Sequence, residues 1–223
     1  MNRNTIAAAA AAAIAAFAGA ASAGPVTATF TADNHYAIYS RSGDTFTFAG
    51  GNELGPSGSV GSYNWSAAET FNFDAEGYLY IAAWSDNAVA QGLIGQITTS
   101  AETILSGDSR WEVLSTGEDR GDWDPYPTVG EMSSWVMAGD TADAWEVPHV
   151  GGANGISPWG TIADVSSSAH WMWRDIDGVD PLQGGASHGE LLVFRIPVSA
   201  IPAPGPVALA GLGGLFLTRR RRN

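Results

Sequence analysis

Short apolar–polar alternations separated by turn residues leave this chain few ways to fold. VTATF at 26–30, HYAIYS at 35–40, TFTFA at 45–49, ETFNF at 69–73 and YLYIAAW at 78–84 have strand length and strand-like side chains, and LIGQIT at 93–98, AHWMW at 169–173 and LLVFRIPV at 191–198 continue the series. A period of two sends successive side chains to opposite faces of a strand, so each run can cover one side of a core. Ser42-Gly43-Asp44, Asp74-Ala75-Glu76-Gly77 and Gly184-Gly185 supply the turns between them. Short strands punctuated in this way predict an all-β sandwich. In YLYIAAW both faces are apolar, with Tyr78, Tyr80 and Trp84 on one side and Leu79 and Ile81 on the other. That run is expected to be a central strand covered on both sides.

Residues 106–168 read differently. Alternation is weak there, and Trp111, Trp123, Trp135, Trp145 and Trp159 recur at wide intervals. The reading is long Trp-rich loops with a few short strands, each buried indole removing about 150–250 Å² from water and so fixing irregular chain to the sandwich. The expected body is β-rich and lacks a long helix. With 45% hydrophobic residues and scattered acids, the chain has the composition of a folded domain.

The two ends are built for other purposes. MNRNTIAAAAAAAIAAFAGAASAG places Arg3 before an apolar run, and Ala21-Ser22-Ala23 forms a small-x-small cleavage site. This is the pattern of a signal peptide over residues 1–23, with a short apolar helix, cleavage by signal peptidase and a mature start at Gly24. The other end reads PAPGPVALAGLGGLFLTRRRRN. From Pro206 to Leu217 a helix would cover about 18 Å at 1.5 Å per residue, short of the roughly 30 Å hydrocarbon core. Prolines 202, 204 and 206 prevent its backward extension, and Arg219, Arg220, Arg221 and Arg222 hold its far end on the cytoplasmic side. The tail resembles the PEP-CTERM sorting signals of bacteria, in which a proline motif, a short apolar helix and a basic end are read by an exosortase, a membrane-embedded processing enzyme. It departs from that pattern at the central Glu, where Pro202-Ala203-Pro204 stands instead. The resemblance implies export, transient membrane contact through residues 202–223 and delivery to the cell envelope, surface or extracellular matrix. A plain carboxy-terminal anchor that is never processed is the alternative, and both place residues 24–201 outside the cytoplasmic membrane.

Between Arg3 and Arg219 there are five arginines against 23 acids, a net of −18. Such a surface repels phosphate backbones, which argues against a nucleic-acid partner. The chain has no cysteine, so disulfides, thiolate nucleophiles and cysteine metal sites are excluded. Four histidines stand apart without metal-ligand spacing, and there is no Gly-x-Ser-x-Gly elbow. His188 and Glu190 are the nearest thing to a catalytic dyad, with a surface pair as the plainer reading.

TADNHYAIYS, NWSAAETFNF, YLYIAAW, GLIGQI, SPWGTIAD, AHWMW and LLVFRI together are similar to galactose-binding-like jelly-roll modules, over about residues 26–198. That resemblance implies a jelly-roll-like sandwich and, commonly, a carbohydrate-binding or accessory role. Trp123, flanked by Asp122 and Asp124, is the candidate sugar platform: an indole face meets C–H groups while carboxylates fix hydroxyls. Trp135, Trp145, Trp159, Trp171 and Trp173 are weaker candidates for which core packing is the plainer reading. DIDGVD offers Asp175, Asp177 and Asp180 around Gly178 as a calcium loop, although Ala186 stands where a full EF-hand loop would place its Glu. A solvated acidic turn is the alternative. The sequence thus predicts an exported, noncatalytic surface or matrix protein that contacts extracellular polysaccharide. A secreted glycoside-acting hydrolase or its accessory domain, and a calcium-stabilised structural protein, are the competing classes.

Overall fold

The structure, a computed structural model, describes residues 23–52, 64–85, 90–175, 180 and 190–198. Its strands are β1 (Gly24–Asp33), β2 (His35–Ser42), β3 (Thr45–Gly51), β4 (Glu69–Ala75), β5 (Tyr78–Trp84), β6 (Gly92–Thr98), β7 (Thr103–Leu105) and β8 (Glu112–Asp119), followed by helix α1 (Val129–Ala142), then β9 (His149–Ala153), β10 (His170–Trp173) and β11 (Glu190–Pro197). They form two antiparallel sheets. One has the order β4-β1-β6-β10-β9, with β7 also paired to β6, and the other has the order β3-β2-β5-β11-β8. The protein is therefore an all-β sandwich with one helix among the described residues. All eight alternating runs lie on strands, and Gly43 and Gly77 occupy the expected turns with φ of 57° and 70°.

The alternation explains the layers. Val26, Ala28 and Phe30 of β1, Leu79, Ile81 and Ala83 of β5, and Leu192, Phe194 and Ile196 of β11 belong to the core shared by the sheets, with Trp111, Trp171 and Trp173. Trp111 meets Phe30 edge-on at 6.1 Å and donates its indole N–H to the Leu105 carbonyl at 2.9 Å. Each large side chain buried in this way contributes about 1.5–3 kcal/mol. Gly95 allows β6 to close on β1, because a Cβ there would lie 2.3 Å from the Thr29 carbonyl oxygen and from the Phe30 ring.

The intervening residues of the second sheet point the other way and form a second core. Tyr39, Tyr80, Ala82, Trp84, Leu114, Leu191 and Val193 pack with Met132, Trp135 and Val136 of α1. The expectation that YLYIAAW is covered on both faces thus holds, and the cover on its aromatic side includes the helix.

The expectation of a β-rich body without a long helix holds among the described residues, whereas the reading of 106–168 as long loops with a few short strands missed one short helix. Those residues contain β8, β9 and the 14-residue α1. Thr128 caps the helix, its hydroxyl accepting from the Glu131 N–H while the Glu131 carboxylate accepts from the Thr128 N–H, a full capping box. Met132, Trp135, Val136 and Gly139 make the buried stripe, with the spacing of one helix face. At Gly139 a Cβ would lie 2.6 Å from Leu114, so glycine lets the helix close on β8. Asp143, with φ of 53°, ends the helix in the left-handed conformation. The expected signal helix and carboxy-terminal helix fall outside the described residues, among which no helix is long and apolar enough to cross a membrane.

Removing the helix cap tests this account. Thr128→Ala should lower unfolding free energy by about 1 kcal/mol in denaturant titration, with the β signal in circular dichroism retained.

Candidate functional site

The chain between β8 and α1 forms a loop over one end of the second sheet, and at its tip Trp123 is 78% exposed. Exposure of an indole to that degree is unusual for a residue type that is normally buried. The other tryptophans considered as platforms are placed differently. Trp135, Trp159, Trp171 and Trp173 are buried, and Trp145 is half-buried beneath the Arg195 guanidinium, 3.8 Å from its ring centre. Trp159 stacks on Trp171 at 4.0 Å. These side chains are packing elements, because the sheets and helix need their area more than a ligand does.

The base of the loop is anchored from several directions. Trp84, at the end of β5, donates its indole N–H to the Gly121 carbonyl at 3.2 Å, and the ring stacks against His35 at 5.1 Å. His35, buried at the start of β2, places Nε2 3.1 Å from the Asp122 carboxylate. Asp124 accepts the Gly121 N–H at 2.7 Å. Asp122 and Asp124, expected to fix sugar hydroxyls, therefore each commit one oxygen to holding the loop. Arg120 donates to the Pro125 carbonyl at 2.6 Å, pairs with Glu131 of α1 and lies over the Trp135 ring at 5.9 Å. On the far side, the buried Tyr39 phenol donates to the Pro127 carbonyl and Tyr126 donates to the Asn52 carbonyl. Burial pushes both phenols up, Tyr126 to about 12 with Glu69 adding to the effect, so both remain protonated donors at neutral pH. Asn52 is itself fixed, accepting from the Tyr36 N–H at 3.2 Å and donating to the Asn34 carbonyl at 2.8 Å. The result is a loop anchored at several points with a projecting indole.

His35, Trp84 and Arg120 were not singled out as site residues by sequence reasoning. His35 and Asp122 lie 87 positions apart, and only the pairing of β2 with β5, which sets His35 opposite Trp84, brings them together. Most of the proposed calcium loop, residues 176–179, lies outside the described residues. Asp175 is exposed, Asp180 lies 3.1 Å from His149 Nε2, and Asp177 is outside the described residues. No group of three or more His, Asp or Glu side chains converges among the described residues. Glu190 is paired with Arg174 at 3.3 Å and accepts from the Ser115 hydroxyl, while His188 lies outside the described residues. Pro202, Pro204, Arg219, Arg220, Arg221, Arg222 and the cleavage-site Ala21 also lie outside them, and Ala23 is exposed just before β1.

All five body arginines are paired with carboxylates: Arg41 with Asp44 and Asp140, Arg110 with Glu102 and Asp108, Arg120 with Glu131, Arg174 with Glu146 and Glu190, and Arg195 with Glu112 and Asp140. Their charge is used internally, leaving the acidic excess to set the outer field.

The Glu131 carboxyl links the loop to the helix and gives it an acid response. Burial acts to raise its pKa, but hydrogen bonds from Thr128 and the charge of Arg120 outweigh burial and hold the carboxyl below its ordinary value of 4.5. A carboxyl depressed on folding stabilises the native state above its unfolded pKa and loses that contribution as pH falls through the lower folded value. Glu131→Gln should therefore reduce stability at pH 7 and flatten its decline below about pH 4.5, read from melting temperature across pH. No protein-family model, curated protein or solved structure matches this chain.

Proposed function

We propose that this is an exported, noncatalytic protein of a bacterial cell surface or extracellular matrix, and that its sandwich presents Trp123 to extracellular polysaccharide. The observation that carries the binding role is the 78% exposed indole on a loop held by Trp84, His35, Asp124 and Arg120. A ligand gains most from a platform that is already ordered, because little conformational entropy remains to be lost on binding. The apolar indole face suits the C–H face of a sugar, while Asp122 and Asp124 stand beside it for hydroxyl contacts. The paired arginines and the net of −18 favour neutral glycans over anionic ones.

The address rests on the sequence ends: a signal peptide over 1–23 and a PEP-CTERM-like tail over 202–223, with signal peptidase and an exosortase-like enzyme as processing partners. The jelly-roll type of sandwich belongs to the same proposal. Consecutive strands that repeatedly change sheets, as β4, β5 and β6 do, support it.

Two measurements bear on the proposal. A neutral-glycan screen of the full chain should yield a ligand whose binding weakens at least about tenfold in Trp123→Ala, with stability changed by less than about 0.5 kcal/mol. Binding that survives the substitution would remove the platform from the function. Intact mass of the protein from its host should show loss of Met1–Ala23 and of Arg219–Arg222; retained arginines would favour the unprocessed anchor.

A further inference from the structure

At the opposite end of the second sheet lies a pocket of about 210 Å³ lined by Arg41, Gly43, Glu76, Gly77, Tyr78 and Tyr80. Tyr78 begins β5 and Trp84 ends it, so six steps at about 3.3 Å separate this pocket from the Trp123 loop by roughly 20 Å. The two sites share no residue. Two turns build the pocket, with Gly43 between β2 and β3 and Gly77 between β4 and β5, both left-handed with open space where a Cβ would stand.

The chemistry of the lining is specific. Tyr78 is 37% exposed. The Arg195 guanidinium lies 5.0 Å over its ring and is itself held by Glu112 and Asp140, each at 2.6 Å. This holds the ring in place beside Tyr80, whose ring centre lies 6.2 Å away, and its exposed part borders the pocket. Tyr80 is buried, with its hydroxyl accepting from Arg41 at 3.4 Å. Arg41 is also oriented by the Gly43 carbonyl at 2.7 Å and Asp44 at 3.2 Å. These contacts use one N–H on each of its three nitrogens, and Nη1 also faces the Asp140 carboxylate at 3.7 Å, so the second N–H of Nη2 is the donor that remains for a ligand. Glu76 lines the same pocket as an acceptor, one oxygen taking the Ser42 hydroxyl at 3.3 Å.

We infer that this pocket binds a single neutral pyranose ring, a second glycan contact independent of Trp123. The exposed part of the Tyr78 ring receives the C–H face of the sugar, while Arg41 donates to and Glu76 accepts from adjacent hydroxyls. Size limits the occupant, since 210 Å³ is smaller than the roughly 300–1,000 Å³ of drug-sized sites. Charge limits it further, because Glu76, Asp44 and Asp140 around the two arginines disfavour a uronic acid.

The test titrates the full chain with glucose, galactose, mannose, N-acetylglucosamine and glucuronic acid, following saturation transfer from protein to sugar protons by NMR. At least one neutral sugar should receive saturation at its C–H protons and bind more tightly than glucuronic acid. Tyr78→Ala should weaken that binding at least about tenfold, Tyr78→Phe should retain it, and Arg41→Lys should weaken it by removing the Nη2 donor. Trp123→Ala should leave it unchanged. Absence of binding by every neutral sugar, preference for glucuronic acid, or loss in Trp123→Ala with retention in Tyr78→Ala would overturn the inference. A glycan contact confined to Trp123 would leave the first proposal standing and remove this one. If Tyr78→Ala lowers the melting temperature, loss of binding in Arg41→Lys at an unchanged melting temperature decides the matter.

Discussion

Sheet β3-β2-β5-β11-β8 has two apolar faces, and the rest of the structure follows from the need to cover both. Leu79, Ile81 and Ala83 meet the other sheet, so Tyr80, Ala82 and Trp84 would face water without a second layer. Helix α1 is part of that layer. Once it is required, the chain leaving β8 must turn back across the sheet end before the helix begins, and this return path becomes the loop that carries Trp123. The candidate platform is thus a by-product of covering the second face.

Arginine fastens this helix layer at both ends. Near its start, Arg120 joins the loop to Glu131; near its finish, Arg195 reaches from β11 to Asp140 while lying over Trp145. Isolated surface ion pairs contribute about 0–1 kcal/mol each. Here the pairs also set direction, because the same guanidiniums pack on aromatic rings and cannot rotate away without losing that contact. In a chain without cysteine, such arginine–aromatic–carboxylate clusters tie together residues distant in sequence without a disulfide.

The strand pattern was legible because period-two alternation is local: each of the eight runs carries its own signal. The helix was also written in the sequence. Thr128 and Glu131 have the capping-box spacing, and Met132, Trp135, Val136 and Gly139 have the spacing of one face. Its Gly, Ser, Thr and Asp residues have low helix propensity and hid that pattern, and tertiary packing of the stripe overrides them. β8 was obscured by its polar end, Ser115 to Asp119, and β9 by Gly151 and Gly152. The exposure of Trp123 could be anticipated from its acidic neighbours. Its anchors could not, since His35 and Trp84 reach the loop only through strand pairing distant in sequence.

Because the Trp123 loop is continuous with β8 on one side and with the α1 cap on the other, anything that grips it is mechanically in series with the second core. Pull on the indole would pass through Arg120 to the helix start and through Gly121 to Trp84, so that it reaches both the helix and the second sheet. A tethered polymer would then load the sandwich as a unit instead of peeling away one turn.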